Sequence, residues 1–408
     1  MPQIAFLLDF SIQSGTSERR SGTLLFISGL SSFSMRSKAT RVTSPARQAG
    51  KTPTNKRLTF ADDNAFYTEL KRRVGLHMIN NNRRERDCPR MYLKTAIILT
   101  VFVASYVLLV FVSSNWLQAL PLAVVIGFAI AAIGFNIMHD GSHHAYSNKG
   151  WLNKLAVCSL DLIGGSSYFW HWKHVVFHHN YSNIYEYDTD IDLGALGRLA
   201  PQSRRRGIHA LQHWYFWFLY GVLAIKWNLY DDFSVAIRGR IGEHRYRPLQ
   251  GSELVIFFAG KLVFFTIAFG VPLLFHSAGV VVLFYILIAF VAGIVMSVVF
   301  QLAHSVEEAS FPQPQTPGQM DKPWAVHQVE TTVDFARNSP AACWLLGGLN
   351  FQIEHHLFPR MCHINYPFIA PVVEETCRNF GIRYNVHDSF SQGIMSHFRW
   401  LRHMGTAE

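Results

Sequence analysis

The sequence predicts an all-α integral membrane protein, with four transmembrane helices in two hairpins closed on one side by a histidine-rich cap. Three observations carry this. Four apolar runs, roughly 94–112, 119–138, 254–275 and 278–300, approach the about 20 residues that cross a bilayer as a helix. The turns inside the two pairs, Ser113-Ser114-Asn115-Trp116-Leu117-Gln118 and His276-Ser277-Ala278-Gly279, hold no Lys, Arg, Asp or Glu. Histidines, finally, concentrate where the runs end.

Taken in order, residues 1–56 carry only two acids, Asp9 and Glu18, and are rich in Ser, Thr and Arg. That composition fits an organelle transit peptide, with a disordered tail as the plainer alternative. Residues 57–92 read as an amphipathic helical segment, because Phe66, Leu70 and Val74 recur at i, i+4 and i+8. Arg83, Arg84, Arg86, Arg90 and Lys94 precede the first run, and Arg204, Arg205, Arg206, Arg238, Arg240, Arg245 and Arg247 lie between the hairpins. The positive-inside rule therefore puts both termini and the middle region on one side, cytosolic or stromal. Residues 151–169 and 209–229 are apolar and aromatic but contain Lys154, Asp161, His209, His213 and Lys226. They read as interfacial or partly embedded helices. The chain thus divides into an N-terminal region (1–56), a membrane domain (57–390) and a C-terminal tail (391–408).

Composition narrows the function. The formal charge is +10, but the basic residues flank apolar runs, where they suit anionic lipid surfaces rather than nucleic acid. Cys88, Cys158, Cys343, Cys362 and Cys377 are scattered without a C-x-x-C pair, which argues against a zinc ribbon or a disulfide framework.

The histidines form three boxes: His139-Asp140-Gly141-Ser142-His143-His144, His174-Val175-Val176-Phe177-His178-His179 and Gln352-Ile353-Glu354-His355-His356. His304 stands alone at the end of the last run. Neutral imidazole is a common ligand of redox metals. His139 and His143 are four apart, which places them on one helix face, and His174 and His178 repeat the spacing. Adjacent rings such as His178-His179 and His355-His356 diverge by roughly 100° on a helix. They are badly placed to share one ion and well placed to serve two, so the doublets point to a dinuclear centre. Nitrogen-rich ligation without thiolate suits iron, zinc or copper. Asp140 and Glu354 are candidate acceptors that fix histidine tautomers. His144 and His171 adjoin boxes without being needed for their spacing, so they stand as further candidates or as residues facing lipid headgroups. Gln352 occupies a ligand's place with a neutral amide, which suits weak ligation or hydrogen bonding equally. The acidic run Tyr185–Asp192 is a solvated loop or a set of partners for the ligands. Gly347-Gly348 marks a tight backbone approach rather than a phosphate loop, since G-x-G-x-x-G is missing. His276 falls at the far turn, outside any site.

These boxes resemble those of the membrane fatty-acid desaturases, from about Phe60 to Tyr384, with Gln301-Leu302-Ala303-His304 and Gly347-Gly348-Leu349-Asn350-Phe351 in support. The glutamine opening box three is similar to the front-end, Δ6-linoleoyl-type branch. The resemblance implies a non-haem diiron cap that uses O2 and two electrons to place a cis double bond in a long acyl chain. It implies His139, His143, His174, His178, His179, His304, His355 and His356 as ligands of the two Fe ions. Many front-end enzymes carry a fused cytochrome b5 with His-Pro-Gly-Gly, and this chain has no His-Pro dipeptide. The implied electron donor is then a separate carrier, ferredoxin or free cytochrome b5. The implied substrate is an acyl lipid or acyl-CoA, and the implied setting is the endoplasmic reticulum or chloroplast membrane. A diiron hydroxylase would use the same scaffold and the same ligands. A metal-binding receptor or transporter is the reading from another class, but transport favours ionisable residues within the spans, and Lys261 is nearly alone there.

Overall fold

A computed structural model of the chain describes residues 58–407. Among these, four helices are long and apolar enough to cross a membrane: Pro89–Val112, Trp116–Ser142, Ser252–Leu273 and Ala278–His304, here spans one to four. Span one opens on Pro89, at a position whose N–H would have no helical partner anyway. Span two opens on Asn115, whose side chain accepts from the Gln118 N–H at 3.1 Å and so satisfies one free donor. Phe111, Leu117, Leu262 and Leu273 remain exposed on the spans, as lipid-facing residues should.

Spans one and two pack together, and span four packs against span two. At one pole the two turns meet. Phe111 lies edge-on to Phe275 at 5.0 Å, Trp116 stacks on Phe284 at 5.4 Å, and His276 Nε2 donates to the Val110 carbonyl at 2.7 Å. At the other pole lie His139, in the last turn of span two, and His304, the end of span four. The bundle therefore has a turn pole and a histidine pole.

The helices Gly150–Leu162 and Gln212–Lys226 cover the two polar-flanked apolar segments, and neither is among the four spans. Gln212–Lys226 lies along span four. Its backbone approaches so closely that a Cβ on Gly293 would sit 2.6 Å from the Tyr220 carbonyl oxygen.

The remainder caps the histidine pole. Helix Ala65–Asn80 buries Phe66, Leu70, Val74 and Met78 against Ile369, Ala370 and Val373 of helix Tyr366–Asn379, which is the stripe expected from the i, i+4 spacing. A short parallel pair, Asp334–Phe335 with Val386–His387, fastens the late chain beside box three. One boundary needs correction. Residues 391–406, most of the stretch 391–408 read from sequence as a tail, fall in the helix Phe390–Thr406, which buries Trp400, Leu401 and Met404. It opens on a Ser389/Gln392 capping box, and the Gln212 side chain donates to its Leu401 carbonyl at 2.8 Å. Its apolar stripe is interleaved with Ser, His and Arg, which disguises it in a linear reading. The expected transit peptide lies outside the described residues.

Candidate metal centre

The three boxes are built on unusual local helix. Span two widens into a π-type turn, Gly134–Met138, immediately before His139. Box two lies in a longer π-type stretch, His171–His178. Such wide turns cluster at functional sites. Box three forms the short helix Gln352–Leu357, preceded by Gly347 and Gly348 at φ of +59° and +74°. A Cβ on Gly347 would lie 2.2 Å from the Phe135 carbonyl oxygen, so this is the close approach that the Gly-Gly pair signalled. It presses box three against the end of span two.

The histidines gather into two buried groups. His139, His143, His174, His179 and His355 form the first, and His178, His304 and His356 the second. Within each, the offered nitrogen atoms lie within 4.8 Å of one another. In the first group His139 Nε2 is 3.1 Å from His174 Nε2, His174 Nε2 is 3.2 Å from His179 Nε2, and His179 Nε2 is 3.0 Å from His355 Nε2. In the second, ring centroids are 4.6 Å apart for His178–His304, 5.0 Å for His304–His356 and 5.1 Å for His178–His356.

Each doublet contributes one ring to each group. The pair His174 and His178, expected on one face, is divided between them, and His174 shares its group with His179. The two rings still stack on each other, with centroids 5.3 Å apart, as their spacing suggests, and i to i+5 bonding in the π-type stretch brings His174 and His179, five apart, into line as well.

The Nδ1 atoms of the second group all face acceptors. His178 Nδ1 donates to Asp188 Oδ2 at 3.0 Å, His356 Nδ1 to Gln328 Oε1 at 2.7 Å, and His304 Nδ1 to the Thr331 carbonyl at 3.2 Å. A carboxylate or carbonyl oxygen can only accept, so each proton sits on Nδ1 and each Nε2 presents a lone pair inward. Among the described residues, His143 Nε2, His178 Nε2 and His356 Nε2 are buried with no hydrogen-bond partner. Inward-facing orphaned lone pairs are costly unless something positive sits among them. Burial pushes His143, His174, His179, His355 and His356 well below the usual imidazole range, which keeps these rings in the neutral form that binds metal. His178 differs: burial opposes its charge, but Asp188 and Asp190 outweigh burial and raise its pKa.

The other candidates sort clearly. Gln352 is fully buried, with its amide nitrogen 2.9 Å from His304 Nε2 and its oxygen without a partner. His144 and His171 are exposed and lie outside both groups. Asp140 and Glu354 do not orient box histidines as expected. Asp140 accepts from His363 Nδ1 at 2.8 Å, and Lys94 Nζ donates to the other ring nitrogen of His363 at 3.0 Å. Glu354 accepts from Tyr384 at 2.8 Å, and burial beside Asp334 pushes its pKa well above the usual carboxyl range. Asp188, from the acidic run, takes the orienting place. Gln328 and Thr331 escaped the sequence reading because no spacing links them to a box. His276 lies at the turn pole.

The fatty acid desaturase family description matches residues 114–387. The chain belongs to that family. The desaturase is 38% identical over 358 residues to an sn-1 linoleoyl-lipid 6-desaturase of Arthrospira platensis, covering 86% of this chain and 96% of that one. It is 35% identical to an enzyme of the same name from Synechocystis, over 87% of this chain and 99% of the relative. An acyl-lipid (8-3)-desaturase of Physcomitrium patens is 38% identical over 85% of this chain and 73% of its own length. The desaturase is thus a membrane enzyme of the front-end branch that inserts a double bond into an acyl chain, and its histidine groups form a site suited to metal.

Proposed function

We propose that the desaturase binds two irons, one in each histidine group, and inserts a cis double bond near the carboxyl end of a lipid-linked long acyl chain. The observation that carries this is the division of eight buried imidazoles into groups of five and three, with unpartnered nitrogens facing inward. His139, His143, His174, His179 and His355 would hold one iron; His178, His304 and His356 would hold the other. Gln352 stands beside His304, where its amide acts as a weak ligand or a hydrogen-bond donor. The bound iron pair supplies the oxidising power, with O2 and two electrons, to take hydrogens from unactivated methylenes, which side chains alone cannot do. The chain's own residues fix the rest. Asp188, Gln328 and the Thr331 carbonyl hold the Nδ1 protons, and Trp170, stacked on His174 at 4.3 Å, with Phe300 excludes water from one side.

The names of the cyanobacterial relatives support a glycerolipid-linked linoleoyl chain as substrate, with acyl-CoA as the other carrier. The electron donor is a separate ferredoxin or free cytochrome b5. The membrane is that of the chloroplast or the endoplasmic reticulum, with the histidine pole on the stromal or cytosolic side. Expression in yeast fed linoleic acid, followed by lipid-class analysis and metal analysis of purified protein, tests the whole reading. New triene in a glycerolipid pool and near two irons per chain are expected. A hydroxylated product, or zinc as the sole metal, overturns it.

A further inference from the structure

The four spans, with the helices Gly150–Leu162 and Gln212–Lys226, line an elongated, partly open cleft of about 450 Å³ on the turn-pole side of the metal site. On span two its walls run from Trp116 to Ile130, and on span four from Val280 to Met296, roughly 20 Å at 1.5 Å per residue. The turn end is the more polar one, although Tyr285 and Asn228 also reach the cleft. Ser113, Ser114, Asn115 and His276 line the end at the turns. The middle is walled by small and apolar residues such as Ala119, Ile126, Ala289 and Ala292, and the inner end reaches Trp227, Asn228 and Met296.

That inner end is walled off from the histidines. Trp227 stacks on Trp170 at 5.7 Å, and Trp170 stacks on His174. Phe300 packs 6.1 Å from Trp170 and 6.0 Å from His174, and Met138 and Leu160 complete the same cluster. A chain lying across the metal site meets this wall before it meets the cavity.

The walls of the cleft are mostly apolar, so an apolar occupant is favoured there. Water is a poor filler of the apolar middle, which offers it few hydrogen-bond partners. In a bilayer the molecule available in excess is lipid, and the polarity order matches one amphiphile with its head at the turns and its tail pointing inward. Trp116, stacked on Phe284 at the mouth, holds the position where indoles favour the membrane interface.

We propose that this slot binds the acyl tail of a membrane glycerolipid from the leaflet at the turn pole, separate from the chain that is desaturated. The site needs neither iron nor turnover, so it stands or falls apart from the proposed function. The test begins with native mass spectrometry of the purified desaturase in mild detergent, which should show one retained glycerolipid per chain. The Ala289→Leu/Ala292→Leu variant fills the slot and should lose that lipid while keeping its metal content and the chain lengths it desaturates. As a second measurement on the unaltered protein, phosphatidylcholine vesicles carrying an acyl-terminal diazirine should label Ala289 and Ala292, which are buried from the surrounding bilayer. Lipid-free protein, or label confined to lipid-exposed residues, overturns the proposal. So does a filled variant that retains its lipid, or one that desaturates only shorter chains, which would make the slot part of the substrate path.

Discussion

The two histidine groups differ in how their rings are held. In the group of three, every Nδ1 is tied to an oxygen from another part of the chain, so tautomer and orientation are set before any metal arrives. In the group of five, His174 Nδ1 and His179 Nδ1 are buried without partners, and His355 Nδ1 faces only the Tyr366 hydroxyl at 3.3 Å. There the rings are positioned by one another and by packing, as with His174 beneath Trp170. The larger group has more rings and little external orientation. The smaller one has fewer rings, each held by a partner at Nδ1. The same fold thus prepares two neighbouring positions in two ways, and each can be disturbed separately.

The largest effect should come from removing one ring. His355→Ala and His178→Ala are each expected to abolish product while leaving membrane insertion intact, and metal analysis should show the loss. Full activity in both variants would remove these rings from the ligand set. Next, Asp188→Ala should lower metal affinity or activity by about 10–100-fold, the usual cost of losing a group that orients a ligating histidine. Tyr366→Phe, acting on the less oriented group, should cost clearly less, and equal losses would erase the contrast.

Acid should separate the groups as well. Ligation needs a neutral ring, so protons compete with metal. His178, its pKa raised against burial by Asp188 and Asp190, takes up its proton at higher pH than the rings of the larger group, whose pKa values burial depresses. As pH falls from about 8 towards 6, the span in which imidazole titrates, the three-histidine group should release its metal first. In the metal-free protein the sign reverses for His178. Its ion pair adds stability below the ordinary imidazole value, and that contribution is lost as pH rises through the raised one. A plateau at one metal per chain during acid titration is the signature, and joint loss of both metals would contradict it. A smaller effect attends Gln352: replacement by Ala should weaken the second position by about 10-fold, whereas Gln352→His should retain metal, as read by stoichiometry after dialysis. The least is expected of His144→Ala and His171→Ala. Both residues are exposed, so stability should stay within about 0.5 kcal/mol and product yield should hardly change.

Much of this is legible in the sequence. The spans follow from runs of apolar residues, the cap helix from the spacing of Phe66, Leu70 and Val74, and the boxes from histidine spacing. What escaped notice involved partners distant in the chain. Gln328 meets His356 and Asn183 donates to the His304 carbonyl, and neither has a local signature. The helix Phe390–Thr406 was missed because its buried stripe is narrow and its flanks are polar. Asp140 and Glu354 read from sequence as acceptors for the box histidines, whereas His363 claims Asp140 and burial with Tyr384 claims Glu354.

By itself the sequence determined that four helices cross the membrane and that the histidines lie at their ends, because hydrophobic burial is additive along a chain and reads out locally. The tertiary structure decided which ring joins which group. That choice depends on acceptors brought in from distant segments, and a ring's direction is set by hydrogen bonds in space rather than by its position along the chain.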